Sequence, residues 1–175
     1  MQFYFNSIPQ PLNSMNFSVK LCLFVFFNGL ITSLFAQSTA FPESILIEHP
    51  AKSDFSLVTR NDLATVLVDE KDNATVRLCA GIFTDDVHRV TGQTPLLVNN
   101  ISGAERSCVI IGSITDSRFI KELITSGKID VRGIKGEWES CLTQIIDNPF
   151  PGIAKGLVIA GSDRRGTAYG IFELS

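Results

Sequence analysis

A chain of 175 residues has room for one domain, or for one domain and a leader. Its 45% hydrophobic and 19% charged residues suit a soluble fold preceded by an apolar segment. The formal charge is only -3 and no basic stripe is present, which excludes nucleic acid as a partner.

Residues 1–36 stand apart from the rest. They contain no Asp or Glu, and their single charge is Lys20. Behind it run Leu21 to Phe27, then Gly29-Leu30-Ile31 and Leu34-Phe35-Ala36. A basic residue, an apolar core of about 15 residues and a small residue at the end make a secretory signal. Met15 gives a more conventional start than Met1. Crossing a bilayer takes roughly 20 apolar residues, so a cleaved leader fits better than a retained anchor. Cys22 lies at the wrong end of the core to carry a lipid. The expectation is export to the periplasm or the medium, with no stable membrane span after cleavage.

Three cysteines follow the leader, Cys79, Cys108 and Cys141. An odd number excludes a fully paired framework, although an oxidising compartment leaves room for one bridge. All three sit in apolar runs and read as small buried hydrophobes. Asn73-Ala74-Thr75 and Asn100-Ile101-Ser102 match the glycosylation acceptor pattern.

Residues 37–54 form a short tether, with a first strand expected at Ser44–Glu48. Ala64–Val68 is β-branched and apolar and predicts a strand, closed by the turn-prone Asp69-Glu70-Lys71-Asp72-Asn73. Val76, Cys79, Ala80, Phe83, Val87 and Val90 then recur at helical spacing. Asn73 or Thr75 can cap that helix, and Gly92 follows its end. Gly81 inside it implies close packing against a neighbour. Asp85, Asp86 and Arg89 fall on its solvated side.

Thr94-Pro95 leads into an edge strand at Leu96–Val98. Cys108–Gly112 is apolar on both faces, as a central strand should be. A second helix follows, with Asp116 as its cap, Phe119, Ile120, Leu123 and Ile124 as its buried face, and Gly127 at its end. Gly133–Gly136 is a turn. Trp138–Ile146 alternates as a half-buried antiparallel strand would, and Asn148–Gly152 closes it. Gly156–Ala160 is a buried strand, a loop rich in glycine and arginine follows, and Thr167–Ser175 opens a helix. The order β-α-β-β-α-β-β-α predicts an α/β fold, a mixed sheet with helices packed on it. The final helix carries Ile171, Phe172 and Leu174, an apolar face that something beyond Ser175 is expected to cover.

His49 and His88 are far apart and belong to no spaced ligand set, so no metal or other cofactor is expected. Neither Gly112-Ser113 nor Gly161-Ser162 completes a nucleophile elbow. The chemically informative stretch is Gly161-Ser162-Asp163-Arg164-Arg165-Gly166-Thr167-Ala168-Tyr169-Gly170. It joins a buried strand to a helix start, where free N–H groups and the helix dipole favour an anion. Two guanidinium groups stand beside it, each able to grip a carboxylate with two hydrogen bonds. The other reading is equally open: Asp163 caps the helix and the arginines pair with nearby acids. The glycine spacing fits neither nucleotide-binding pattern, which counts against a nucleotide module.

Residues 157–171 resemble the segment that closes the N-terminal domain in glycoside hydrolase family 115. Phe83–Gly92 and Gly136–Ser140 also resemble that family, in the same order, and the similarity spans residues 55–175. The resemblance implies a small α/β domain like the one preceding the barrel in β-hexosaminidases. It implies a relation to xylan α-1,2-glucuronidases, which remove glucuronic acid or its 4-O-methyl form from xylan with inversion. Their catalytic groups lie on a (β/α)8 barrel that this chain does not reach, so no catalytic residue is expected here and the chain alone should be inactive. Glucuronic-acid-decorated xylan is the implied partner, and Asp163, Arg164 and Arg165 the implied substrate-side residues. The alternative is a free-standing carbohydrate-binding or adaptor module. Trp138 is the only tryptophan, Tyr4 and Tyr169 are the only tyrosines, and most phenylalanines lie in the leader or on apolar faces, so an aromatic platform for sugars is not evident.

Overall fold

A computed structural model describes Ala51, residues 54–60 and residues 62–175. The expected leader, the tether and the strand at Ser44–Glu48 lie outside the described residues. Leu46–Ser175 clusters as one compact unit, and the other, Met1–Ile45, lies outside them too.

Five strands and three helices alternate in the expected order among the described residues. They are β1 (Thr65–Val68), α1 (Ala74–Thr91), β2 (Leu97–Val98), β3 (Ser107–Ser113), α2 (Arg118–Thr125), β4 (Cys141–Asp147), β5 (Lys155–Gly161) and α3 (Arg164–Phe172). They build one mixed sheet in the order β2-β1-β3-β5-β4. β2, β1, β3 and β5 run parallel, and β4 returns antiparallel along β5 at the edge.

Strand periodicity divides the core into two layers. Val66, Val109, Ile111 and Ile159 face α1 and α3, where Val76, Phe83 and Ile171 pack on them. Leu67, Cys108, Ile110 and Val158 face α2 and the segments that carry Ile134 and Phe150. β3, with six of its seven residues buried, is the centre of both layers. Burial pushes the Cys108 thiol up to about 11, as expected of a cysteine that serves as core. Cys79 is buried as well, Cys141 only partly, and all three are free.

Several local expectations are corrected. Val90 has the inward helical phase but is 86% exposed. An 18-residue helix is about 27 Å long, whereas a four-residue strand covers about 13 Å, so the last turn of α1 outruns its support. Gly81 does not serve close packing, since a β-carbon there would meet nothing within 4 Å. The cap of α2 is Ser117, whose hydroxyl accepts from the Ile120 N–H at 3.4 Å; Asp116 lies one residue outside. The helix ends as expected at Gly127 (φ 70), with Gly127 and Lys128 N–H groups closing on Ile124 and Leu123 carbonyls.

β4 begins three residues later than expected, because Glu139 adopts φ 55, which no strand continues through. α3 begins three residues earlier, at Arg164, and its apolar face is not left open. Ile171 is fully buried within this chain, and Leu174 packs against the same cluster; Phe172 alone is 46% exposed. No helix among the described residues is long and apolar enough to cross a membrane.

Candidate functional site at the carboxyl edge of the sheet

Parallel strands deliver all their following loops to one edge. β1 leads into α1 on one face, β3 into α2 on the other, and β5 into α3 back on the first. Where successive connections diverge in this way, the loops part and leave a crevice, the usual ligand position in open α/β sheets. A cleft of about 410 Å³ occupies that place. Asn73 enters it from the β1 loop, Thr115 and Asp116 from the β3 loop, and Asp163, Arg164 and Arg165 from the β5 loop. Trp138 and Glu139, just ahead of β4, complete the wall.

The three residues singled out from the sequence therefore share one cleft, but they do different things there. Asp163 is the N-cap of α3. One of its oxygens accepts from the Arg165 and Gly166 N–H groups, both at 2.8 Å, and the other from the Glu139 N–H at 3.2 Å. These bonds, led by that of Gly166, hold its carboxyl below the usual carboxylate range. The Arg165 and Gly166 N–H groups, open in the sequence to an external anion or to an Asp163 cap, are thus occupied by the chain's own carboxylate. Arg165 pairs with Glu139 at 2.7 Å. Arg164 is exposed, and its side chain makes no hydrogen bond or ion pair with the described residues. Of the two open readings, capping and internal pairing describe Asp163 and Arg165. Of the two arginines in this loop, Arg164 keeps a free guanidinium among the described residues.

Glycines set how tightly the walls close. A β-carbon at Gly166 would overlap the Ser140 carbonyl, and one at Gly161 would overlap the Thr167 backbone. Gly166 must lack a side chain for α3 to sit against Ser140, and Gly161 for α3 to fold back on the end of β5. Ser140 and Ser162 stitch the same seam, Ser140 N–H to Ser162 Oγ at 3.1 Å and Ser162 N–H to the Ser140 carbonyl at 2.8 Å.

Below the β1 and β3 loops lies a buried polar cluster that the sequence reading did not pick out. Asp72 is 3% exposed and accepts from the Ser113 N–H (2.8 Å), the Ser113 hydroxyl (2.9 Å) and the Asn73 N–H (2.7 Å). Burial raises its carboxyl above the usual value, against the pull of those bonds. Asp69, fully buried, accepts from the Lys71 and Arg118 N–H groups and lies 3.4 Å from Arg118 Nε. Two aspartates bracketing a strand-to-helix turn were the available signal, but the same pattern also describes an ordinary solvated turn. Trp138 also lines the cleft, although its polar–apolar alternation with the following residues reads as a strand. Among the described residues no group of three or more His, Cys, Asp or Glu is gathered as a metal centre requires.

No protein-family model matches the chain, and no curated protein does. Among solved structures it is similar to a family GH115 4-O-methyl-alpha-glucuronidase with specificity for decorated arabinogalactans. The two are 25% identical with a TM-score of 0.50, over 63% of this chain and 13% of that one. The domain is thus a distant structural relative of part of a glycoside hydrolase.

Proposed function

We propose that this chain is the leading α/β domain of an exported glycosidase of the α-glucuronidase kind, and that its cleft holds a uronic-acid substituent of a polysaccharide. The supporting observation is that the likeness to a glucuronidase comes with a cleft in which, among the described residues, one guanidinium, Arg164, is uncommitted, beside the unpaired carboxylate of Asp116. A uronate differs from a neutral sugar by its carboxylate, and arginine is the side chain best shaped to bind it. Asp163 and Arg165 support the site: the first starts the helix that carries Arg164, and the second ties that helix to Glu139.

Cleavage needs a carboxylic acid that keeps its proton to neutral pH, and a second carboxylate about 6.5–9.5 Å away for inversion. Asp163, with its carboxyl held low and saturated by N–H donors, has the wrong properties for the acid. In this reading the acid and base belong to another part of such an enzyme, since the chain corresponds to 13% of its structural neighbour.

Calorimetric titration of the full chain tests the proposal. The ligands are a glucuronate-bearing xylo-oligosaccharide, a glucuronate-bearing arabinogalactan oligosaccharide and the neutral parents of both. The acidic sugars should bind more tightly than the neutral ones, and Arg164→Ala should remove about tenfold of that affinity. Equal affinity for acidic and neutral sugars would instead indicate a general carbohydrate-binding module. Comparing the two acidic ligands identifies the backbone, xylan or arabinogalactan.

A further inference from the structure

Trp138 is the only tryptophan of the chain and is 83% exposed. An indole is among the side chains with most to gain from burial, yet this one stands in water at the wall of the cleft that Arg164 also lines. The backbone that presents it is firmly held. Glu139, the next residue, sits at φ 55, a left-handed conformation that a non-glycine residue keeps only when its surroundings enforce it. Its N–H is held by Asp163 at 3.2 Å and its carboxylate by Arg165 at 2.7 Å. Ser140 is joined to Ser162 by two hydrogen bonds, and its hydroxyl donates to the Trp138 carbonyl at 3.1 Å. A strained turn with this many attachments keeps the tryptophan out of the core.

The surroundings indicate the ligand class. Protein-docking tryptophans sit in desolvated, largely apolar centres. Here the same cleft offers an amide (Asn73), a hydroxyl (Thr115), a carboxylate (Asp116) and a guanidinium (Arg164). One flat apolar surface among several hydrogen-bonding groups suits a pyranose ring, which has an apolar C–H face and a rim of hydroxyls. We infer that Trp138 is a stacking surface for the uronosyl residue, whose C–H face lies on the indole while its carboxylate meets Arg164. Glu139 is the positioning residue that fixes the indole. This inference rests on the uronate reading above and adds to it the residue that recognises the ring.

Because the chain has a single tryptophan, its indole fluorescence reports on position 138 alone. The full chain is titrated with the glucuronate-bearing xylo-oligosaccharide and with its neutral parent, following emission and heat in parallel. Emission should change with the acidic sugar at the midpoint found by calorimetry. Trp138→Ala should weaken binding about tenfold with an unchanged melting temperature, and Trp138→Phe should recover most of the loss. Arg164→Ala should abolish the preference for the acidic sugar yet leave an emission change at high sugar concentration. Heat without any emission change, or full affinity in Trp138→Ala, overturns the stacking role and leaves the Arg164 reading intact. Neither heat nor emission change with either sugar overturns both.

Discussion

Two groups of loops meet at the carboxyl edge of the sheet, and both are organised by aspartates that accept backbone N–H groups. Between β1 and β3, Asp69 and Asp72 are buried, the first with two N–H donors and an ion pair to Arg118, the second with three donors, and they join segments more than 40 residues apart. Between β4 and β5, Asp163 is half-exposed and ties the turn at 138–140 to the start of α3. The first group is closed: no buried side-chain polar atom among the described residues lacks a partner. The second keeps a bare indole and an unpaired guanidinium beside its cap. Burial therefore decides what the same capping chemistry is for. Out of water an aspartate must be saturated and becomes a structural tie; at the surface it can hold a turn in place and leave neighbouring groups free for a ligand.

The largest effect expected from breaking this contrast is at Asp72. Asp72→Ala leaves the buried Ser113 N–H and hydroxyl without an acceptor, which should cost about 3 kcal/mol. Urea denaturation measures it, and a loss under about 1 kcal/mol would mean the cluster is not a tie.

Asp163→Ala should cost less, about 1 kcal/mol, the usual value of an N-cap whose N–H groups can turn to water. The two aspartates should also respond to acid in opposite directions. Asp163 is depressed below its ordinary 3.8, so its contribution is present above that value and is lost as pH falls through the folded-state pKa. Asp72 is raised, so the part of its contribution that depends on protonation is complete below 3.8 and is lost as pH rises through the folded-state pKa, while its bonds from Ser113 remain. Denaturation of wild type and both variants from neutral pH to below 3.8 should show the Asp163→Ala gap narrowing toward acid and the Asp72→Ala gap widening. Parallel gaps would mean that burial does not separate the two groups.

The layers of the fold were readable because burial on both faces leaves uninterrupted apolar runs. Cys108–Gly112 and Gly156–Ala160 could be little else than inner strands. The loops were harder, since their residues are chosen by partners distant in sequence. Asp116 and Ser117 are both ordinary caps; Ser117 is used because it fits under Gly112, which has no side chain to obstruct it. The first turn of α3 reads as a loop because Gly166 weakens a helix, and only its contact with Ser140 explains the glycine. Trp138 fits the polar–apolar alternation of a strand, and the left-handed Glu139 that ends this pattern has no sequence signature. Asp163, Arg164 and Arg165 could be placed together at a helix start, but their division into cap, free cation and paired cation depends on Glu139, 26 residues before Arg165.

Gly81 offers the smallest effect and a control for the comparison. It lies within α1, away from both loop groups, where a β-carbon would have open space, so no packing demand accounts for it. Glycine inside a helix is less favourable than alanine by about 1 kcal/mol, mostly through the backbone freedom it loses on folding. Gly81→Ala should therefore raise stability by up to about 1 kcal/mol, read as a higher urea midpoint at unchanged slope. Sugar affinity and the acid responses of Asp72 and Asp163 should stay as in wild type, because a β-carbon at Gly81 would meet no atom of either loop group. A stabilised variant with altered binding would show that α1 and the cleft are coupled, and the losses in the Asp72 and Asp163 variants could then no longer be read as local.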